Sequence, residues 1–123
     1  MFELNVESEF ASAHYLRGYK GKCERVHGHN YRVMLTVKGN KLNKIGLLVD
    51  FSELKTALGK VMDILDHRLL DDLPYFKKVN PSAENIAKYI YDSMSKSLKS
   101  KSVKLSKVTV WETARASASY ANE

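Results

Sequence analysis

His27-Gly28-His29 is the sharpest chemical signal in this 123-residue sequence. In an extended strand, residues i and i+2 point to the same side, so the two imidazoles project together. They share that phase with Tyr31, Val33 and Leu35. Two imidazoles at the buried end of a strand make half a metal site. His14, closing an earlier extended stretch, supplies the third ligand if the first two strands pair. Three histidines leave a fourth position open for water or substrate, the catalytic form of a zinc site. The bland alternative is three satisfied core or surface histidines. Gly28 leaves room for a neighbour or ligand to approach closely.

Other residues extend this chemistry. Cys23, the only cysteine, stands four residues before His27. As a fourth ligand it closes the site and makes it structural. As a free thiol beside a cation it has a lowered pKa and can act as a general base. Spacing leaves both open. Asp66-His67 is either an acid orienting an imidazole or a helix C-terminal cap with its histidine at the negative end of the dipole. Glu112 shares strand parity with Val108 and Val110. A carboxylate facing inward needs donors, and a heterocycle presenting a ring N–H beside an amino group meets it with two hydrogen bonds. Otherwise the strand has already emerged into solvent there.

The elements that must position these residues follow from periodicity and caps. Residues 2–14 read as a strand interrupted by Ser8 and Ser12, residues 15–26 as a polar loop, and residues 27–38 as the clearest strand. Asp50 predicts a helix N-cap, with Glu53 completing a capping box. The helix carries Leu54, Ala57, Leu58, Val61, Met62 and Leu65 on one face and ends near Asp66-His67. Pro74, Asn80 and Pro81 mark a loop. Ser82 caps a second helix, whose apolar face is Ile86, Ala87, Ile90, Met94 and Leu98. Strands follow at about Lys104–Thr113 and 115–121. The order ββααββ predicts an α+β fold, a four-stranded antiparallel sheet with two helices on one face, in a single domain over 1–123. No segment is an evident cover for either sheet edge, so pairing with neighbouring subunits into a closed ring is expected.

Composition narrows the function classes. Apolar residues make up 44 % of the chain, enough for a core. No run has membrane-spanning length, and the start lacks the layout of a signal peptide, so a cytoplasmic protein without a membrane partner is expected. The formal net charge of +6 suits either a nucleic-acid backbone or a small polyanion. Much of that charge lies between Lys96 and Lys107 without interleaved aromatics, which argues against a single-strand binding platform.

These residues resemble the family of 6-pyruvoyl-tetrahydropterin and 6-carboxy-tetrahydropterin synthases across nearly the whole chain. The matching pieces run in order: Phe10-Ala11-Ser12-Ala13-His14, Cys23 through Tyr31, Val49-Asp50-Phe51, Leu65-Asp66-His67, Pro81 through Asn85, and Glu112-Thr113. The resemblance implies the tunnelling fold, with subunits closing a β-barrel in trimers and two trimers stacking as a homohexamer with sites between subunits. It implies zinc on His14, His27 and His29, Cys23 as catalytic base, and Asp66 with His67 as its relay, reaching the site from a neighbouring subunit. Glu112 is implied as pterin anchor, with Thr113, Ser82 and Glu84 as further substrate-binding positions. The implied substrate is 7,8-dihydroneopterin triphosphate, with Arg17, Lys20, Lys22, Arg25 and Arg115 as candidates for holding its triphosphate.

The short Cys23–His27 spacing resembles the microbial branch, which yields 6-carboxy-5,6,7,8-tetrahydropterin for queuosine-type deazapurines. The alternatives are the 6-pyruvoyl product or, through Glu24, aldolase-like cleavage to 6-hydroxymethyl-7,8-dihydropterin. Cys23 and Glu24 together resemble a dual-function subset, unless Glu24 is only a solvated loop charge. A reading from another class is a non-catalytic zinc module binding nucleic acid, which requires Cys23 as a fourth ligand.

Overall fold

A computed structural model of the chain describes residues 1–99 and 101–122. Strands β1 (Phe2–His14) and β2 (His27–Gly39) are followed by α1 (Phe51–Leu65), a short α2 (Pro74–Lys78) and α3 (Ala83–Ser97). Strands β3 (Lys104–Thr113) and β4 (Ala116–Tyr120) complete the order. The four strands form one antiparallel sheet in the order β1-β2-β3-β4, as the sequence predicts.

Alternation on β2 drives the core. Tyr31, Val33, Leu35 and Val37 are fully buried beside Val6 and Phe10 of β1 and Val108 and Val110 of β3. Against this face pack Leu54, Leu58, Val61, Met62 and Leu65 of α1 and Ile86, Ala87, Ile90 and Met94 of α3. Removing one such side chain costs about 2–5 kcal/mol, the lost transfer energy plus the cavity left behind. At the end of β2, a Cβ on Gly39 would stand 2.6 Å from Leu48 Cδ1. The bare backbone there lets Leu48 of the following apolar run pack against the strand.

Both long helices start as expected. Asp50 accepts the Ser52 N–H at 2.9 Å, and Ser82 Oγ accepts the Asn85 N–H at 3.2 Å, each cap stabilising its helix by about 1 kcal/mol. The capping box is not made. Glu53 instead reaches Lys101, 3.0 Å away, because a cation near α3 competes for its carboxylate.

The stretch expected as a plain loop before α3 contains a helical turn at Leu70–Asp72 and then α2. Pro74 opens α2 where its missing N–H is harmless, and Leu70 and Phe76 anchor the segment in the core. This segment also alters the expectation of bare sheet edges. Ala11 N–H donates to Asp66 Oδ1 at 2.8 Å, His67 N–H to the Ala11 carbonyl at 2.6 Å, and Ala13 N–H to the Arg68 carbonyl at 2.9 Å. The His14 end of β1 is therefore covered from within the chain. Ser12, an apparent interruption of the apolar pattern, is buried, donates to the Leu65 carbonyl and accepts the Arg68 N–H at 3.2 Å.

Two register shifts bend β3. One falls between its partners Leu105 and Lys107, the other between Trp111 and Thr113, where Ser117 and Ala116 lie opposite. A bulge re-aims the side chain that it carries. The second shift sits at Glu112.

Candidate metal centre

The antiparallel register of β1 and β2 sets His14 opposite His27 and Ser12 opposite His29. All three imidazoles thus lie on one face at one end of the sheet, beyond the last β2–β3 pair, Arg32 with Trp111. One ring nitrogen from each of His14, His27 and His29 lies within 4.8 Å of the others. The twelve-residue excursion between the strands does not prevent the pairing that this convergence needs.

Backbone carbonyls orient the first two rings. His14 Nδ1 lies 2.6 Å from the Pro81 carbonyl, and His27 Nδ1 lies 2.7 Å from the Arg25 carbonyl. A carbonyl only accepts, so each Nδ1 carries the hydrogen and each Nε2 of the neutral ring keeps its lone pair. Those two Nε2 atoms face one another at 3.0 Å. His29 Nε2 is buried with no hydrogen-bond partner. Burial, aided by the neighbouring His14 and His27, holds the His29 pKa below its ordinary value, against the opposing pull of Glu112. Converging imidazole nitrogens, one of them buried without a partner, are the donor set that a divalent metal such as zinc takes.

Tyr31 floors the site. Its ring stacks on Phe10 with centroids 4.7 Å apart and meets His29 edge-on at 5.3 Å. Burial pushes its phenol pKa far up, so it remains neutral. Gly28 is exposed, and an added Cβ would meet only the Ser12 carbonyl oxygen at 3.6 Å, an ordinary contact. Packing within the chain therefore does not demand glycine there.

Glu112 belongs to this neighbourhood. Its Oε2 lies 3.7 Å from His14 Nε2, and the side chain is 30 % exposed. It is neither a sealed core carboxylate nor a fully solvated one. The bulge at this position accompanies its approach to the histidines.

Cys23 is partly buried on a single helical turn, Lys22–Glu24, which closes the loop when Leu16 N–H bonds its carbonyl at 2.8 Å. Among the described residues it is not one of the converging donors, so its sulfur does not join the three imidazoles. Glu24 is exposed on the same turn.

Asp66 and His67 do not join the histidines. Asp66 takes the C-cap position of α1, and His67 follows in the left-handed region with φ of 54°. Asp66 Oδ2 lies 2.8 Å from His67 Nδ1, while the ring is 82 % exposed beyond the β1 edge. The Ala11 N–H, and secondly His67, hold the Asp66 carboxyl below the usual range. A non-glycine residue kept at positive φ is a strained feature, maintained here by the hydrogen bonds to Ala11. The pair is thus both a helix terminus and an oriented acid–imidazole couple.

Of the remaining expected site residues, Ser82 serves as the α3 cap, Glu84 is exposed on the first turn of α3, and Thr113 is exposed at the β3–β4 turn, where its Oγ1 accepts the Arg115 N–H at 3.3 Å. Arg17 is engaged structurally. Its Nη2 donates to the Phe76 carbonyl at 2.7 Å, and its Nη1 lies 3.6 Å from the buried Asp71. The carbonyls of Pro81 and Arg25 escaped sequence reasoning because a backbone acceptor has no side-chain signature. Among the described residues no helix is long and apolar enough to cross a membrane.

Comparisons with known proteins agree with this fold. The family model for 6-pyruvoyl tetrahydropterin synthase matches residues 3–123. The chain is 42 % identical over 98 residues to the 6-carboxy-5,6,7,8-tetrahydropterin synthase of Bacillus subtilis, covering 76 % of this chain and 65 % of that protein. The match thus spans just under two thirds of that relative's length. The Haemophilus influenzae enzyme of the same name is 29 % identical over 135 residues, covering 92 % of this chain and 94 % of that one. The solved 6-pyruvoyl tetrahydropterin synthase of Caenorhabditis elegans superposes with a TM-score of 0.89 at 30 % identity, covering 99 % of this chain and 96 % of that chain.

Proposed function

This chain belongs to the 6-pyruvoyl tetrahydropterin synthase family, and from that membership and the site geometry we propose that it is a zinc-dependent lyase. In this reading it converts 7,8-dihydroneopterin triphosphate and one water to 6-carboxy-5,6,7,8-tetrahydropterin, with loss of triphosphate and acetaldehyde, in deazapurine biosynthesis. The observation that carries the reading is the convergence of three imidazole nitrogens within 4.8 Å, with no sulfur among them and with His29 Nε2 buried without a partner. The names of the Bacillus and Haemophilus relatives support this product.

His14, His27 and His29 would hold zinc. When bound, the metal supplies Lewis acidity to the hydroxyls of the pterin side chain. Cys23, on its loop outside the donor set, is the proposed base for a carbon-bound proton. Glu112, beside His14, would accept two hydrogen bonds from the pterin ring and so orient the side chain toward the histidines. Asp66 and His67 project from the β1 edge, which suits proton relay in a neighbouring subunit's site. That role presupposes a cytoplasmic homohexamer built as a dimer of trimers, with sheets joined into a barrel. Thr113, Ser82 and Glu84 would complete the pterin pocket.

A second reading is favoured by Glu24, which follows Cys23 directly on the same turn. Two bases there suit cleavage to 6-hydroxymethyl-7,8-dihydropterin as a second activity. The name of the Caenorhabditis protein favours the 6-pyruvoyl product. A closed nucleic-acid-binding zinc module finds no support, because it needs Cys23 as a ligand. Mass spectrometry of products from 7,8-dihydroneopterin triphosphate, with metal present and removed, separates these outcomes. The 6-carboxy product only with metal is expected, and no metal-dependent pterin product would refute the proposal. Glu24→Ala should abolish the hydroxymethyl product alone; an unchanged product mixture ends the dual reading.

A further inference from the structure

Two chain segments meet on the Nδ1 side of His14. One is the exit from β1, Tyr15 to Arg17. The other is the approach to α3, Asn80 to Ser82. Asn80 stitches them with both halves of its amide. Its Oδ1 accepts the Arg17 N–H at 3.0 Å, and its Nδ2 donates to the Arg17 carbonyl at 2.9 Å. This two-point clamp reproduces a strand pairing with a side chain.

Each partner in the clamp is itself tied down. The Asn80 carbonyl accepts from Asn85 Nδ2 at 2.9 Å, which links it to the first turn of α3. The buried Asp71 accepts the Tyr15 N–H at 3.0 Å through Oδ1. Its Oδ2 makes no hydrogen bond and faces Arg17 Nη1 at 3.6 Å. The Arg17 guanidinium also anchors on the Phe76 carbonyl.

Pro81 lies between Asn80 and Ser82. Its φ is fixed by the ring, so the direction of its carbonyl depends on what holds the residues on either side. Those holds are the Asn80 clamp and the capped start of α3. The Pro81 carbonyl is the group that takes the His14 Nδ1 hydrogen at 2.6 Å. We infer that Asn80 is a positioning residue for His14: by clamping the strand exit to the α3 approach, it holds the Pro81 carbonyl where it selects the ring tautomer that turns Nε2 toward the metal. This inference rests on the proposed role of His14 as a ligand. Asparagine suits the position because the clamp needs a donor and an acceptor on one short planar group.

The test combines two readouts on the full-length protein. Zinc and cobalt affinities are measured by chelator competition, and the His14 tautomer is read in metal-free protein from ring nitrogen chemical shifts. Asn80→Ala should weaken metal binding by about 10- to 100-fold, the usual effect of losing an outer-shell partner, and should turn a single Nδ1–H tautomer into a mixture. Asn85→Ala, which frees the Asn80 carbonyl, should move both readouts the same way by less. Should Asn80→Ala fail to fold, Asn85→Ala decides. Affinity unchanged within about twofold together with a retained tautomer overturns the inference, whatever happens to the melting temperature. If the unsubstituted protein binds no metal, the proposed function fails, and the tautomer comparison still decides the role of Asn80.

Discussion

His14 Nε2 stands 3.0 Å from His27 Nε2, and in the neutral form of each ring these are the nitrogens that keep the lone pair, because each Nδ1 donates to a backbone carbonyl. Two lone pairs at that separation repel unless a cation lies beside them. His29 Nε2 lies buried and unpartnered next to them, and these three nitrogens are the ones that would hold the proposed zinc.

Metal should therefore stabilise the fold through these rings. With free zinc at about 100 times its Kd, linkage gives roughly 2.7 kcal/mol, read as a rise in melting temperature by calorimetry. His29→Ala should abolish that rise. A zinc-induced rise surviving in His29→Ala would place the metal elsewhere.

Cys23 lies outside the donor set. Cys23→Ala is expected to keep wild-type zinc content while lowering kcat by about 10²- to 10⁴-fold, the range for a lost general base. Metal analysis and steady-state kinetics on the same preparation check this. Loss of zinc in that variant would make the cysteine a ligand instead.

Glu112 is poised beside His14 without belonging to the donor group. Glu112→Gln replaces an acceptor-only group by a mixed one and should lose one charge-assisted bond to the pterin. The expected cost is about 1.5–3 kcal/mol, or roughly 10- to 150-fold in kcat/KM, with metal affinity little changed. Kinetics together with chelator competition separate a pterin anchor from a metal ligand.

Much of the scaffold is legible in the amino-acid pattern. Tyr31, Val33, Leu35 and Val37 announce β2 by strict alternation, and Asp50 and Ser82 announce the two long helices by their capping chemistry. The three histidines are legible as well, because strand parity converts spacing into a shared face. The bulge at Glu112 is not, since an extra residue in β3 leaves no mark on composition. Nor is the clamp at Asn80, whose partner Arg17 is far away in sequence. Asp66-His67 is visible as a dipeptide, but its seat on the β1 edge depends on Ala11 amide and carbonyl groups that every residue type carries.

That seat predicts a pH dependence. The Ala11 N–H and His67 depress the Asp66 pKa below 3.8 in the folded protein. Its stabilising contribution is thus complete above about 3.8, the unfolded value, and is lost as the pH falls through the lower folded-state value. Exchange of the Ala11 amide hydrogen should accelerate in that acid range relative to amides in the middle of β2. Asp66→Asn should remove the transition. An Ala11 amide equally protected at pH 5 and pH 2 would contradict it (values on the order of those bounding the carboxylate range).

X-ray absorption at the zinc edge, on protein purified with zinc and stripped of adventitious metal, addresses the three-histidine site most directly. One zinc per subunit is expected, with three imidazole nitrogens at about 2.0–2.1 Å and an oxygen in the remaining position. A sulfur neighbour at about 2.3 Å, or no bound zinc at all, would contradict the account.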